Sequence, residues 1–143
     1  MDKSMQEVHW DVKRVGNTIK TLSNELAEFM DSFSTKNATA DERCTLSFFD
    51  ELLDKLDDAS NLIAYYNKPI RKEGRLFKKK NRRYALQEDE SIEFFCGSII
   101  EILRDPYNEN KFEWFRTKIE AKGGQYYAVG CDEELEGLQV RIR

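Results

Sequence analysis

Asn67-Lys68-Pro69-Ile70-Arg71-Lys72-Glu73-Gly74-Arg75-Leu76-Phe77-Lys78-Lys79-Lys80-Asn81-Arg82-Arg83-Tyr84-Ala85-Leu86 is where the chain changes its period. Upstream, apolar residues recur at helical spacing. Downstream they fall into short runs separated by turn residues. Pro69 disfavours the helical conformation just before it and so closes the helical half. Gly74-Arg75-Leu76-Phe77-Lys78 and Arg82-Arg83-Tyr84-Ala85-Leu86 then flank Lys79-Lys80-Asn81, which reads as a β-hairpin with a basic turn. The boundary predicts two parts, residues 1–69 and residues 70–143.

Upstream, Val8, Val12, Val15, Ile19, Leu22, Leu26, Phe29 and Phe33 step by four and three alternately, a sustained heptad seam. Gly16 inside this run costs roughly 1 kcal/mol relative to Ala. Burying the seam, at about 1.5–3 kcal/mol per side chain, overrides that once a partner surface exists. Thr39-Ala40-Asp41-Glu42 has the form of a capping box opening a second helix. That helix carries two stripes: Leu46, Phe49, Leu53, Leu56 and Ile63 on one, and Phe48, Leu52, Ala59, Leu62 and Tyr66 on the other. One stripe closes an antiparallel hairpin against the first helix. The other requires cover from the second half, a partner, or another copy of the chain in a homodimer through the helical seam.

Downstream, Ile99-Ile100-Glu101-Ile102-Leu103 is a β-branched run stopped at Asp105-Pro106. Phe112 to Glu120 turns at Gly123-Gly124 into Gln125-Tyr126-Tyr127-Ala128-Val129. Leu138-Gln139-Val140-Arg141-Ile142-Arg143 alternates apolar and polar. Five or six short strands predict a small antiparallel β domain, bent or closed in the SH3-like or OB-like manner. The expected class is therefore α+β: an N-terminal antiparallel helical hairpin followed by a small β domain.

Hydrophobic residues are 40% and charged residues 35% of the chain, a charge-rich but globular composition. Residues 1–69 hold 8 Lys/Arg against 13 Asp/Glu, a balance of −5, and residues 70–143 hold 15 against 14, a balance of +1. Within the second half, Arg71, Lys72, Arg75, Lys78, Lys79, Lys80, Arg82 and Arg83 face the single Glu73. On a hairpin these would form a ridge roughly 15–20 Å long, at about 3.3 Å per residue. Such a ridge meets nucleic-acid phosphates, with Phe77, Tyr84, Tyr126 and Tyr127 as stacking faces or core. The plain alternative is a solvated hairpin whose charges pair with Glu88-Asp89-Glu90. Asp50, Glu51, Asp54, Asp57 and Asp58 form an acidic surface suited to a basic cleft in a partner protein.

Residues 74–143 also resemble a family of small uncharacterised proteins carried by conjugative transposons, plasmids and prophages of Gram-positive bacteria. The matching features are Gly74-Arg75-Leu76, Arg83-Tyr84, Ile99-Ile100-Glu101-Ile102, Trp114 with Thr117-Lys118-Ile119-Glu120, Tyr126-Tyr127, and Gly137-Leu138-Gln139-Val140-Arg141-Ile142. The resemblance implies a mobile-element context and no catalytic residues. Small proteins of such elements act on nucleic acid or disarm host defences, including guide-RNA nucleases in the anti-CRISPR manner.

Conventional chemistry finds little support. His9 is the single histidine, so no Ser-His-Asp or Cys-His pair and no histidine-built metal site is expected. No phosphate-cradling glycine motif occurs, and no cofactor is implied. Asp105 with Glu120-Ala121-Lys122 has the residue types of a metal-dependent nuclease, which would need both carboxylates around one ion. Cys44, Cys96 and Cys131 are odd in number and far apart, as in a reducing cytosol. The polar, acidic N-terminus and the absence of a long apolar run predict a cytoplasmic protein with no membrane association. The expected function is non-enzymatic: contact with a host ribonucleoprotein or nucleic acid, as an inhibitor of a nucleic-acid machine or as an accessory factor in transfer or replication.

Overall fold

Ser4 starts the first helix by a reciprocal cap. Its hydroxyl accepts from the Glu7 N–H at 3.2 Å, and the Glu7 carboxylate accepts from the Ser4 N–H at 2.7 Å. Helix α1 runs Met5–Ser32. Thr39 and Glu42 repeat the device at the start of α2, Ala40–Asn67, as the sequence motif predicts. The computed structural model describes residues 2–143. The chain divides into two units, Met1–Lys68 and Pro69–Arg143.

Within the first unit the helices pack along a line that differs from the predicted seam. Gly16, Ser23 and Leu26 are the buried residues of α1, with Ile19, Met30 and Phe33 half-buried beside them. A Cβ on Gly16 would stand 2.9 Å from Ile63 Cγ2, so this glycine is where α2 makes its close approach. Ser23 donates a hydrogen bond to the Asp57 carboxylate across the interface. Val8, Val12, Val15, Leu22 and Phe29, all expected in the seam, remain 41–47% exposed. The seam is wider than the strip a single antiparallel helix can cover.

The second unit is one antiparallel sheet of seven strands. They are β1 (Lys72–Lys78), β2 (Tyr84–Leu86), β3 (Asp89–Phe94), β4 (Ile99–Arg104), β5 (Glu113–Lys122), β6 (Gln125–Ala128) and β7 (Gln139–Ile142). The order is β3-β2-β1-β7-β4-β5-β6, curled into a half-barrel with β3 and β6 at its edges. The α+β class and the bent sheet are as the sequence predicts. The strand count is higher, because β3 was hidden behind the acidic run that begins it.

Leu76, Leu86, Phe94, Ile100, Ile102, Ile119, Ala128, Leu135, Val140 and Ile142 form the core. On the opposite face from Ile100 and Ile102, Glu101 is only 2% exposed. Arg141 donates to it through Nε and Nη2 at 3.0 and 2.8 Å, and Arg143 through Nε at 2.6 Å. The Arg141 guanidinium also lies 4.3 Å from the Trp114 ring centre. This cluster pins β7 to β4, where the registered pairs are Glu101↔Arg141 and Ile102↔Val140. Among the described residues no helix is long and apolar enough to cross a membrane.

Candidate nucleic-acid interface

The basic hairpin is present as β1 and β2, with Leu76↔Leu86, Phe77↔Ala85 and Lys78↔Tyr84 in register. The turn is closed by the Arg82 N–H donating to Lys79 O at 2.9 Å and the Lys79 N–H donating to Arg83 O at 2.8 Å. Asn81 Oδ1 accepts from the Arg83 N–H at 3.0 Å. Arg82 takes φ 69°, in the left-handed region that side chains other than glycine and asparagine enter rarely.

The eight basic residues differ in their contacts within the domain. Lys79 Nζ lies 2.8 Å from Glu93 Oε1 and Arg83 Nη1 lies 3.3 Å from Glu93 Oε2. Hydrogen bonds from Lys79 first and Arg83 next hold the Glu93 carboxyl below its usual range. Lys72 sits 4.0 Å from Asp89. The Ser91 hydroxyl, then the Ser91 N–H, lowers the Asp89 carboxyl, with Lys72 adding a smaller pull. Arg75 donates to Gly137 O at 2.9 Å. Half of the basic set is thereby engaged within the domain. Glu93, which the sequence did not single out, takes the part expected of Glu88 and Glu90. It does so because Ala85↔Glu93 are in register after a shift between Ala85 and Leu86.

Arg71, Lys78, Lys80 and Arg82 have no ion-pair partner among the described residues. Arg71 stands at the far end of β1, about 23 Å of strand from Lys78. The remaining three cluster at the tip. Lys78 is the weakest of them, because its N–H donates to Glu136 Oε2 at 2.7 Å and Glu134 lies in the same hollow. Burial first, then the charges of Glu136 and Glu134, raises the Tyr84 phenol there. Lys80 and Arg82 carry the least compensated positive charge.

Below the tip is a hollow of about 410 Å³ lined by Phe77, Lys79, Lys80, Asn81 and Glu90. Phe77 is half-buried there and offers a ring at its wall. Glu90 makes the interior unfavourable for a phosphate, so an anion would sit on the Lys80 side of the hollow. Tyr84 and Tyr126 pack against the core, whereas Tyr127 is exposed.

On α2, Asp50, Glu51, Asp54 and Asp58 are exposed. Asp57 departs from them because its carboxylate accepts from Ser23. His9 is exposed and lines a separate hollow of about 280 Å³ with Gln6, Trp10, Lys13, Tyr66 and Asn67.

The nuclease constellation does not assemble. Asp105 accepts from the N–H groups of Glu109 and Asn110, at 3.2 and 2.8 Å, and shapes its own loop. Its neighbour Arg104 pairs with Glu113, at the opposite end of β5 from Glu120, which is about 23 Å away along the strand. Glu120 instead meets Lys118 at 3.2 Å. Among the described residues no group of three His, Cys, Asp or Glu is placed to hold a metal ion.

Residues 74–142 match a family described as a domain of unknown function, DUF5348. The match begins within β1 and includes the hairpin, the hollow and all the later strands, but neither helix. No curated protein and no solved structure matches the chain.

Proposed function

We propose that this chain is a non-catalytic binding protein whose β1–β2 tip meets the backbone of a nucleic acid. Single-stranded RNA or DNA at the surface of a larger nucleic-acid machine suits it best. The observation that carries the reading is Arg82. A left-handed turn position that glycine fills without strain holds an arginine instead, at a cost of order 1–3 kcal/mol, and its guanidinium has no acidic partner among the described residues. Local strain of this kind is commonest where a side chain is needed for contact rather than for folding. Lys80 stands beside it, and the Phe77-walled hollow gives an unstacked base a ring to rest on.

The sharper form of the proposal is inhibition of a guide-RNA nuclease by a protein of a mobile element. It draws on the exposed acidic side of α2 at Asp50, Glu51, Asp54 and Asp58, which suits a basic nucleic-acid channel in a target.

Binding of labelled single-stranded RNA, duplex RNA and duplex DNA across a salt series tests the reading, with Lys78→Gln/Lys80→Gln/Arg82→Gln as control. Salt-sensitive binding that the triple variant loses supports it. If the wild type binds nothing at 50 mM salt, the direct phosphate contact is wrong. Stoichiometric inhibition of a guide-loaded nuclease, weakened by Asp50→Asn/Asp54→Asn, would then leave the acidic helix as the active surface.

A further inference from the structure

The helical unit leaves a continuous apolar line without cover. On α1, Val8, Val15, Leu22 and Phe29 recur every seven residues and are 41–47% exposed. That spacing is what a further helix packed alongside requires. On α2, Phe48 and Leu62 are 59% and 43% exposed, joined by half-buried Leu52 and Ala59 at helical spacing. Ring contacts show that both lines border the same flank of the hairpin. Phe29 meets Phe49 edge-on at 6.0 Å, and Phe49 touches Phe48 at 5.9 Å.

We infer that this flank is the interface of a homodimer, in which two hairpins pair antiparallel about a two-fold axis to form a four-helix bundle. Two independent features select a second copy as the occupant. The first is area. The exposed side chains amount to on the order of 500 Å² of apolar surface per chain, the upper end of what a monomer shows in one patch. Pairing two copies buries on the order of 1,000 Å², where specific interfaces begin.

The second feature is charge. The open end of the hairpin, residues 2–20 and 59–68, holds 5 Lys/Arg against 3 Asp/Glu, a balance of +2. The loop end, residues 21–58, holds 3 against 10, a balance of −7. An antiparallel two-fold lays each basic end over the partner's acidic end, whereas a parallel pairing stacks the two acidic ends. The flank is thus complementary to itself in one orientation only.

Sedimentation equilibrium of the full chain over a concentration series tests this. The expected result is twice the 16.9 kDa chain mass at tens of micromolar, with dissociation strengthened by salt. Val15→Glu/Leu22→Glu should return the chain to its single mass with an unchanged far-ultraviolet helical signal. Val15→Ser/Leu22→Ser, which adds no charge, should weaken the dimer at least tenfold. A single-chain mass at every concentration overturns the inference. So does a dimer that neither double variant dissociates, since another surface would then hold it. A dimer that tightens with added salt overturns the antiparallel arrangement.

Discussion

Substituting the hairpin cations one at a time separates paired charge from available charge. Among the described residues Lys78, Lys80 and Arg82 have no side-chain ion-pair partner, whereas Lys79 and Arg83 share Glu93 at 2.8 and 3.3 Å. Three available cations give a slope of log K against log salt of about −2 to −3, using roughly 0.7 per contact on single strands and 0.9 on duplex. Between 50 and 200 mM salt the wild-type affinity should then fall about 20- to 40-fold. Lys80→Gln or Arg82→Gln removes one contact, flattening the slope by about 0.7–0.9 and reducing the fall to about tenfold. Lys79→Gln and Arg83→Gln should leave the slope near that of the wild type, because those cations already neutralise a carboxylate. Glu93→Gln should act in the opposite sense. It frees two cations, so the fall should grow to a few hundredfold. Fluorescence anisotropy of a labelled oligonucleotide measures each slope. Equal losses from Lys79→Gln and Lys80→Gln, or a flatter slope in Glu93→Gln, would refute the division into paired and available charges.

Glu101→Ala should destabilise the second unit by about 3–5 kcal/mol in urea titration, because it leaves Arg141 and Arg143 around a site that is 2% exposed. Arg82→Gly should raise stability by about 0.5–1 kcal/mol by relieving the left-handed turn while it weakens oligonucleotide binding, which shows the two roles to be separate. Gly16→Val should cost about 1–3 kcal/mol in thermal melts followed by helical signal, since even a Cβ stands 2.9 Å from Ile63 Cγ2. Glu93 has a folded-state pKa below its ordinary 4.5, so its pairing stabilises above that value and is lost as pH falls through the folded value. The urea midpoints of wild type and Glu93→Gln should therefore differ at pH 7 and converge as pH falls below 4.5.

The hairpin, the glycine turn before β6 and the alternating last strand were legible because each depends on residues adjacent in sequence. The Thr39–Glu42 cap was legible for the same reason. What escaped was set by register. β3 opens at Asp89 within the acidic run Glu88-Asp89-Glu90, whose charge concealed the pairing of Tyr84 with Phe94 and Ala85 with Glu93. No local pattern marks Glu101 as buried. Its burial follows from Arg141 and Arg143, forty residues on, arriving on the neighbouring strand. The helical seam was legible as apolar, but its spacing alone does not divide it into the strip that α2 covers and the strip left exposed. Gly16, counted as a weakness of the helix, is the point that lets α2 approach.

The same distinction governs the functional reading. Counted in sequence, eight basic residues against one acid describe a strong polyanion site. In the folded hairpin, four are engaged within the domain, a fifth lies at the distant end of β1, and Lys78 shares its surroundings with Glu134 and Glu136. The remaining unpaired charge at the tip lies at Lys80 and Arg82, and Lys80 also lines the hollow beside Phe77. A tip with so few unpaired cations would bind bare nucleic acid weakly at physiological salt. It gains useful affinity when a second surface of the same chain engages the same target, because the second contact then forms at an effective concentration in the millimolar range. In the proposed function the exposed acidic residues of α2 would be such a surface. Under the proposed function, a target carrying both nucleic acid and a basic protein groove would offer a site to each surface, whereas free RNA or DNA would offer one to the tip alone.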